Sequence, residues 1–197
     1  MSYEKAAPGV GVILYFRDTD NTHKVIVSLR GKVVGEGYGV TGGGFVDCNR
    51  IIQKPIGTIS FDYDQAYREL CEEFADAGAH VDEGMSLKEA KAIAKDFVKA
   101  LPYEVFRQRH VTLSSVSVRT DDSNKIHHSV FLACEISQHA AQEILAIAGN
   151  NERLGSEAVA IGSQKYEQAL SDLYHQHERV AFQALEARLN STPNNFM

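Results

Sequence analysis

The sequence predicts a mixed α/β fold, and two kinds of pattern support this prediction. Two apolar runs of strand length, Val10 to Phe16 and Lys24 to Leu29, stand near the start of the chain. Apolar residues at helical spacing follow, and Ser86 with Glu89 forms a capping box that predicts the start of a helix. Strand and helix signals in one chain are typical of a sheet covered by helices.

The first two apolar runs are predicted to form a hairpin or to be neighbouring strands. Turn residues from Asp18 to Asn21 join the first two runs. A second hairpin is predicted at residues 110–119 and 126–136, with polar turn residues between its strands. A further short apolar run extends from Ala158 to Ile161.

Four helices are predicted from apolar spacing and capping residues. The first carries several glutamates, is capped by Asp62 or Asp64, and continues for an extra turn through Ala77. The others are predicted at 86–101, 137–149 and 163–190. The last is long for a small domain, so it either lies across the sheet or pairs with a second copy as a homodimer.

Length and composition indicate one soluble domain. The chain has 197 residues, and residues 1–190 are predicted to form a single domain. The polar tail, 191–197, is predicted to be disordered. The net charge of −6 argues against nucleic acid as the main partner. No apolar run approaches the roughly 20 residues that span a bilayer, so no membrane association is predicted. Three cysteines give no disulfide framework and the first residues lack signal-peptide features, so we expect a cytoplasmic protein.

The most informative segment runs from Arg68 to Glu73 and reads Arg-Glu-Leu-Cys-Glu-Glu. On a helix, Glu69, Glu72 and Glu73 lie at i, i+3 and i+4 and share one face. Like charges at this spacing repel by roughly 0.2–0.5 kcal/mol per pair, whereas a divalent cation makes the cluster favourable. The pattern therefore predicts a site for Mg²⁺ or Mn²⁺ that holds a phosphate, and the alternative is a solvated acidic face.

A glycine-rich turn, predicted at Thr41 to Asp47, precedes the acidic helix. Gly43 and Gly44 suggest backbone held close to another group, which a solvated acidic face does not explain. We expect both glycines to contribute to substrate binding. Arg30, directly after the second strand, is a further candidate for a phosphate contact, with a solvated strand end as the alternative.

The glycine tract followed by Arg68-Glu69-Leu70-x-Glu72-Glu73 resembles the Nudix box, the signature of hydrolases that act on nucleoside diphosphates linked to another group. The resemblance covers about residues 38–78. It implies an α/β/α sandwich with a mixed β-sheet, here with a long C-terminal helix. It also implies that Arg68 and the three glutamates are catalytic, with Glu69, Glu72 and Glu73 as ligands of catalytic Mg²⁺ (or Mn²⁺).

The chain departs from the Nudix pattern at one glutamate and in one spacing. The family has a glutamate six residues after the opening glycine and eight before the arginine, and these positions are Arg50 and Ser60 here. The distance from Gly44 to Arg68 is 24 residues where the family usually has 14, which indicates an insertion. Asp47, Asp62 and Asp64 are the open candidates for the missing carboxylate.

Two functional hypotheses follow. The first is a metal-dependent pyrophosphohydrolase acting on a nucleotide-type small molecule, with Glu157 as general base because it follows the penultimate loop. A surface glutamate is the alternative reading of Glu157. The second hypothesis is a Nudix-fold nucleotide-binding or regulatory module with little or no hydrolysis, which the missing glutamate and the enlarged loop motivate.

Overall fold

A mixed β-sheet with helices on both faces makes up the fold. The structure, a computed structural model, describes residues 9–30, 37–45, 63–76, 78–81, 85–119, 126–150, 158–173 and 176–191. Of the tail predicted at 191–197, Ser191 is the last residue of a helix, and 192–197 lie outside the described residues.

Seven strands from the described residues form one sheet. They are β1 (Gly9–Arg17), β2 (His23–Arg30), β3 (Gly37–Gly39), β4 (Gly42–Phe45), β5 (His110–Arg119), β6 (Ile126–Glu135) and β7 (Ala158–Lys165). The order is β3-β2-β1-β6-β5, with β4 paired to β1 and β7 paired to β2. Both predicted hairpins are confirmed as antiparallel pairs, and β1 pairs with β6 in parallel, which makes the sheet mixed.

Strand β1 is the centre of the sheet and is buried on both faces. Successive side chains of a strand point to opposite faces. Val12 and Leu14 belong to one hydrophobic cluster, and Ile13 and Tyr15 belong to another. This explains why the run from Val10 to Phe16 is apolar throughout and does not alternate.

Helices cover the two faces unequally. They are α1 (Tyr63–Glu73), α2 (Leu87–Ile93), α3 (Lys95–Ala100), α4 (Tyr103–Arg109), α5 (Gln138–Asn150), α6 (Tyr166–Asp172) and α7 (Gln176–Ser191). The cluster on one face draws on α1 to α5, and the cluster on the other draws on α6 and α7. The predicted α/β/α arrangement is therefore confirmed.

Asp76 explains two differences from the predicted helices. Helix α1 ends at Glu73, so the extra turn predicted through Ala77 is wrong. The backbone N–H of Asp76 instead donates to the carbonyl of Ile93 at 2.6 Å. The carboxylate of Asp76 accepts from the backbone N–H groups of Lys95 and Asp96 at 3.3 and 3.5 Å, so the helix predicted at 86–101 is divided into α2 and α3. The predicted capping box at its start is confirmed.

The long helix predicted at 163–190 is also wrong. Residues 163–165 belong to β7, which pairs with β2. Leu173 lies between α6 and α7 and forms an isolated β-bridge with Tyr38. Pairing with distant strands has overridden local helical spacing here. Leu173 and Leu185 are buried, whereas Val180 is 43% exposed.

Two further points concern the helices. Helix α4 was not predicted, because the sequence gives it neither a side-chain cap nor a clear apolar stripe. The buried apolar residues of α7, Ala181, Phe182 and Leu185, pack on the sheet of their own chain. A homodimer therefore remains a prediction without the long helix that motivated it.

Candidate functional site

The glycine-rich tract and the acidic helix lie against each other, as the sequence predicts, but the tract has a different form. Gly42 to Phe45 form strand β4, antiparallel to β1, where a turn was predicted. The residue just before β4, Thr41, is fixed in place by its buried hydroxyl. This hydroxyl accepts a hydrogen bond from the N–H of Leu14 at 2.8 Å and donates one to the carbonyl of Ile26 at 2.6 Å. The start of β4 is thereby tied to β1 and β2.

Gly42 allows close contact between β4 and α1. A Cβ atom at this position would lie 3.1 Å from Cδ2 of Leu70 and 3.3 Å from Cγ of Glu73. Such contacts are tighter than most van der Waals packing, so the side chains of Leu70 and Glu73 would have to shift by a few tenths of an ångström to accept a larger residue. The half-buried side chain of Glu73 is thus placed directly beside the glycine strand.

Arg68 holds two of the three predicted carboxylates. Its Nη2 donates to Oε1 of Glu69 at 2.5 Å, and its Nη1 donates to Oε1 of Glu72. The side chain of Arg68 is only 7% exposed, and those of Glu69 and Glu72 are 11% and 17% exposed. These are buried, charge-assisted hydrogen bonds, which fix carboxylate orientation much more firmly than a surface ion pair does.

Glu72 lies in a surplus of negative charge. Burial and the neighbouring Glu69 carboxylate raise the pKa of Glu72 to about 7, against the lowering effect of its ion pair with Arg68. The net shift of this pKa is upward, because one guanidinium is shared between the buried Glu69 and the part-buried Glu72. A further cation near this face would favour the ionised form of Glu72.

The donor set fits a hard divalent cation in chemistry. Glu69, Glu72 and Glu73 supply carboxylate oxygens, and the ion pair of Glu72 uses only one of its two oxygens. Within the described part of the chain, no group of three or more His, Cys, Asp or Glu side chains is already arranged around a metal position. The residues fit the ion by type and charge, and their side chains would have to turn to enclose it.

The other predicted residues stand as follows. The backbones of Gly43 and Gly44 pair with Gly11 and Val10 of β1. The backbone of Arg30 ends β2, at a register shift in the pairing of β2 with β7. The side chain of Arg30 and the whole of Glu157 lie outside what the structure describes.

Asp64 is the one described candidate for the missing carboxylate. Its Oδ1 accepts a hydrogen bond from the hydroxyl of Tyr103 in α4. Asp64 lies within the first turn of α1, so it is not the residue that precedes the helix as a cap. Asp47 and Asp62, the other candidates, lie outside the described residues.

Gln65 is a buried residue of this network that was not predicted from the sequence. This residue is 1% exposed and hydrogen-bonded to both Arg68 and Glu69. Its spacing of three and four residues from these partners was visible in the sequence. Its burial was not, because a glutamine on a charged helix face is ordinarily solvated.

Comparison with solved structures places this arrangement in a known fold. The chain matches a mutT/nudix family protein from Listeria innocua with a TM-score of 0.57 and 14% identity, over 95% of this chain and 96% of that one. It matches the NUDIX domain of Shewanella oneidensis NrtR complexed with ADP ribose with a TM-score of 0.55 and 13% identity, over 95% and 90%. It matches a C. elegans Ap4A hydrolase binary complex with a TM-score of 0.52 and 10% identity, over 95% and 100%.

These likenesses show that the chain has the Nudix fold. The fold is recognisable from structure although no protein-family model and no curated protein matches the sequence. NrtR complexed with a 27mer DNA also matches, with a TM-score of 0.51 and 16% identity, over 92% of this chain and 61% of that one. The fold therefore occurs in a protein solved with DNA, and the expectation of no nucleic-acid partner remains a prediction from net charge.

None of the helices in the described ranges is both long and apolar enough to cross a bilayer.

Proposed function

We propose that the chain is a metal-dependent pyrophosphohydrolase that cleaves the diphosphate of a nucleoside diphosphate linked to another group. One observation supports this most directly: Arg68 orients Glu69 and Glu72 on α1, and Glu73 of the same helix packs against the glycine strand β4. Three carboxylates with one guanidinium leave a net negative charge beside backbone that can approach a phosphate.

The residues of α1 would share the work of holding Mg²⁺ or Mn²⁺. Glu69 and Glu73 would be principal ligands, and Glu72 a further ligand, directly or through water. Arg68 would keep the carboxylates of Glu69 and Glu72 in a fixed orientation. When bound, the metal supplies neutralisation of the diphosphate and a bound water of lowered pKa.

Other residues would act on the substrate. The backbone of Gly43 and Gly44 would border the diphosphate, and Arg30 would contact a phosphate oxygen. Glu157 would take the proton of the attacking water as general base. The ligand is proposed to be a nucleotide-type small molecule, in line with the ADP ribose and Ap4A in the names of two proteins with this fold.

We also propose that the reaction takes place in the cytoplasm. The described cysteines, Cys71 and Cys134, are free and buried, and burial raises the pKa of each thiol to about 12. Thiols of this kind are unreactive side chains of the core, as expected for a protein of a reducing compartment.

A second candidate function is a nucleotide-binding or regulatory module with little or no hydrolysis. It is favoured by the engagement of Glu69 and Glu72 with Arg68, and by the lack of a metal-ready cluster among the residues that the structure describes. The missing family glutamate falls at Arg50 when counted from Gly44 and at Ser60 when counted from Arg68, and neither residue is acidic. This departure also favours the binding module.

Product release from a panel of nucleoside diphosphate derivatives separates the two functions. The assay is run with Mg²⁺, with Mn²⁺ and with chelator, for the wild type, Glu73→Gln and the control Glu104→Gln. Glu104 is exposed on α4, outside the acidic face. The hydrolase should need metal, lose at least about a hundredfold in kcat/KM with Glu73→Gln, and tolerate the control. Tight binding of one nucleotide without turnover would instead identify the binding module.

A further inference from the structure

Gln65 is a buried amide at the centre of the charged network on α1. Only 1% of the residue is exposed. Its Nε2 donates to Oε1 of Glu69 at 2.7 Å, and its Oε1 accepts from Nε of Arg68 at 3.2 Å. The same oxygen of Glu69 also accepts from Nη2 of Arg68. Gln65, Arg68 and Glu69 therefore form a closed triangle of hydrogen bonds.

An amide suits this position by its chemistry. The guanidinium of Arg68 can only donate hydrogen bonds, and an ionised carboxylate can only accept them. A side chain that bonds to both must offer an acceptor and a donor, which the two ends of the Gln65 amide do. The orientation of the amide follows from these partners, since the reverse would face donor to donor and acceptor to acceptor.

The length of the side chain matters as much as its chemistry. Gln65 precedes Arg68 by three residues and Glu69 by four, so it reaches both from one turn earlier on the helix. An asparagine is one methylene shorter and would not span both partners. A methionine has a similar length but offers neither strong hydrogen bond.

We infer that Gln65 is a positioning residue that sets the orientation of Glu69 and Arg68 for metal binding. The inference rests on the proposed function only in taking Glu69 as a metal ligand. Gln65 holds the guanidinium at Nε, which leaves Nη1 and Nη2 directed at Glu72 and Glu69. Loss of the amide frees Arg68 to rotate and leaves the buried Glu69 with one fewer donor.

The test compares Gln65→Met and Gln65→Asn with the wild type in Mn²⁺ titrations, where free Mn²⁺ is followed by electron paramagnetic resonance. Both variants should bind Mn²⁺ about 10- to 100-fold more weakly, the usual effect of losing a partner that orients a ligand. Gln65→Asn retains a polar amide, so it provides a second readout if Gln65→Met folds poorly. Where there is turnover, kcat should fall more than the nucleotide KM rises.

Phe97→Leu is the control for a general loss of stability. Phe97 is fully buried and stacks on Phe74, just after the end of α1, at 4.9 Å between ring centroids, and its phenyl ring has no group that could hydrogen-bond to Gln65, Arg68 or Glu69. This variant should lower the melting temperature and leave Mn²⁺ affinity unchanged. A merely structural role for Gln65 would make its variants behave in the same way, which would overturn the inference.

The remaining outcomes separate the inference from the proposed function. Weaker Mn²⁺ binding in the variants, without turnover of any substrate by the wild type, would support the role of Gln65 and count against the hydrolase. Wild-type turnover with unchanged Mn²⁺ affinity in both variants would overturn the inference alone. A wild type that binds no Mn²⁺ would overturn it too, because there would be no site to position.

Discussion

Helices α1 and α7 cover opposite faces of one sheet, yet they bury different chemistry. The buried side chains of α7 are mainly apolar, with Ala181, Phe182 and Leu185 packed against the sheet. Its buried carboxylate, Glu178, lies in the first turn, where the helix dipole favours an anion. Helix α7 contributes mainly to stability by removing apolar surface from water.

Helix α1 has an apolar side as well, but it also buries charged and polar groups. Leu70 and Phe74 pack in the core, while Gln65, Arg68 and Glu69 are each less than 9% exposed. Burying charges costs free energy that ion pairing only partly recovers, so such a network is a poor way to gain stability. The difference between the helices is what we expect if α1 is arranged for the proposed site, at some expense in stability.

Truncation of α7 should have the largest effect on folding and little effect on the site. Phe182→Ala should lower the free energy of unfolding by about 4 kcal/mol, because it leaves a cavity at a residue that is fully buried. Urea denaturation measures this change. Metal affinity per folded molecule should be unaltered, and a large loss of that affinity would show that the two faces are not independent.

Removal of Arg68 tests whether the network of α1 depends on its cation. Arg68→Met should cost about 3 kcal/mol in chelator, since two buried carboxylates lose their partner. Added Mg²⁺ should restore part of this loss in the variant, because a second cation can take over. Denaturation with and without Mg²⁺ measures both effects, and a cost below about 1 kcal/mol would mean that the network is effectively solvated.

The pH dependence of stability sharpens the comparison further, with a smaller effect. Burial and the Glu69 carboxylate raise the pKa of Glu72 from its ordinary value of 4.5 to about 7 in the folded chain, so the folded state binds more protons than the unfolded state between these two pH values. The contribution of Glu72 to stability is therefore present below pH 4.5 and is lost as the pH rises towards 7.

Glu72→Gln isolates this contribution from those of other groups. The wild type should lose stability relative to Glu72→Gln as the pH rises from about 4.5 to about 7. Unfolding free energies of both proteins, measured in chelator at several pH values, report this difference. A flat difference would show that Arg68 compensates fully for the burial of Glu72.

The smallest predicted effect concerns Asp76, whose carboxylate bonds to the start of α3. Asp76→Ala should cost about 1 kcal/mol, because the carboxylate caps the start of α3 in the manner of an N-cap. The matched control is Asp96→Ala, whose side chain is 64% exposed in a surface pair with Lys99 and should cost less than about 0.5 kcal/mol. Equal costs in thermal or urea denaturation would show that Asp76 does not act as a cap.

The local rules of the sequence account for much of the fold. The apolar run from Val10 to Phe16 predicted a strand, and the capping box at Ser86 predicted a helix start. The spacing of Glu69, Glu72 and Glu73, after a glycine tract, predicted an acidic helix near that tract, and the contact of Glu73 with Gly42 agrees. These features follow from backbone periodicity and turn chemistry, which act over a few residues.

Tertiary structure decided the features that depend on distant partners. Residues 163–165 joined a strand because β2 was there to pair with them, and Asp76 separated α2 from α3 because the chain after α1 returns to that point. The burial of Gln65 and the sharing of Arg68 between Glu69 and Glu72 likewise depend on side-chain packing. Local sequence determined which carboxylates share a face of α1, and only the folded chain determined their burial, because desolvation depends on everything that packs around them.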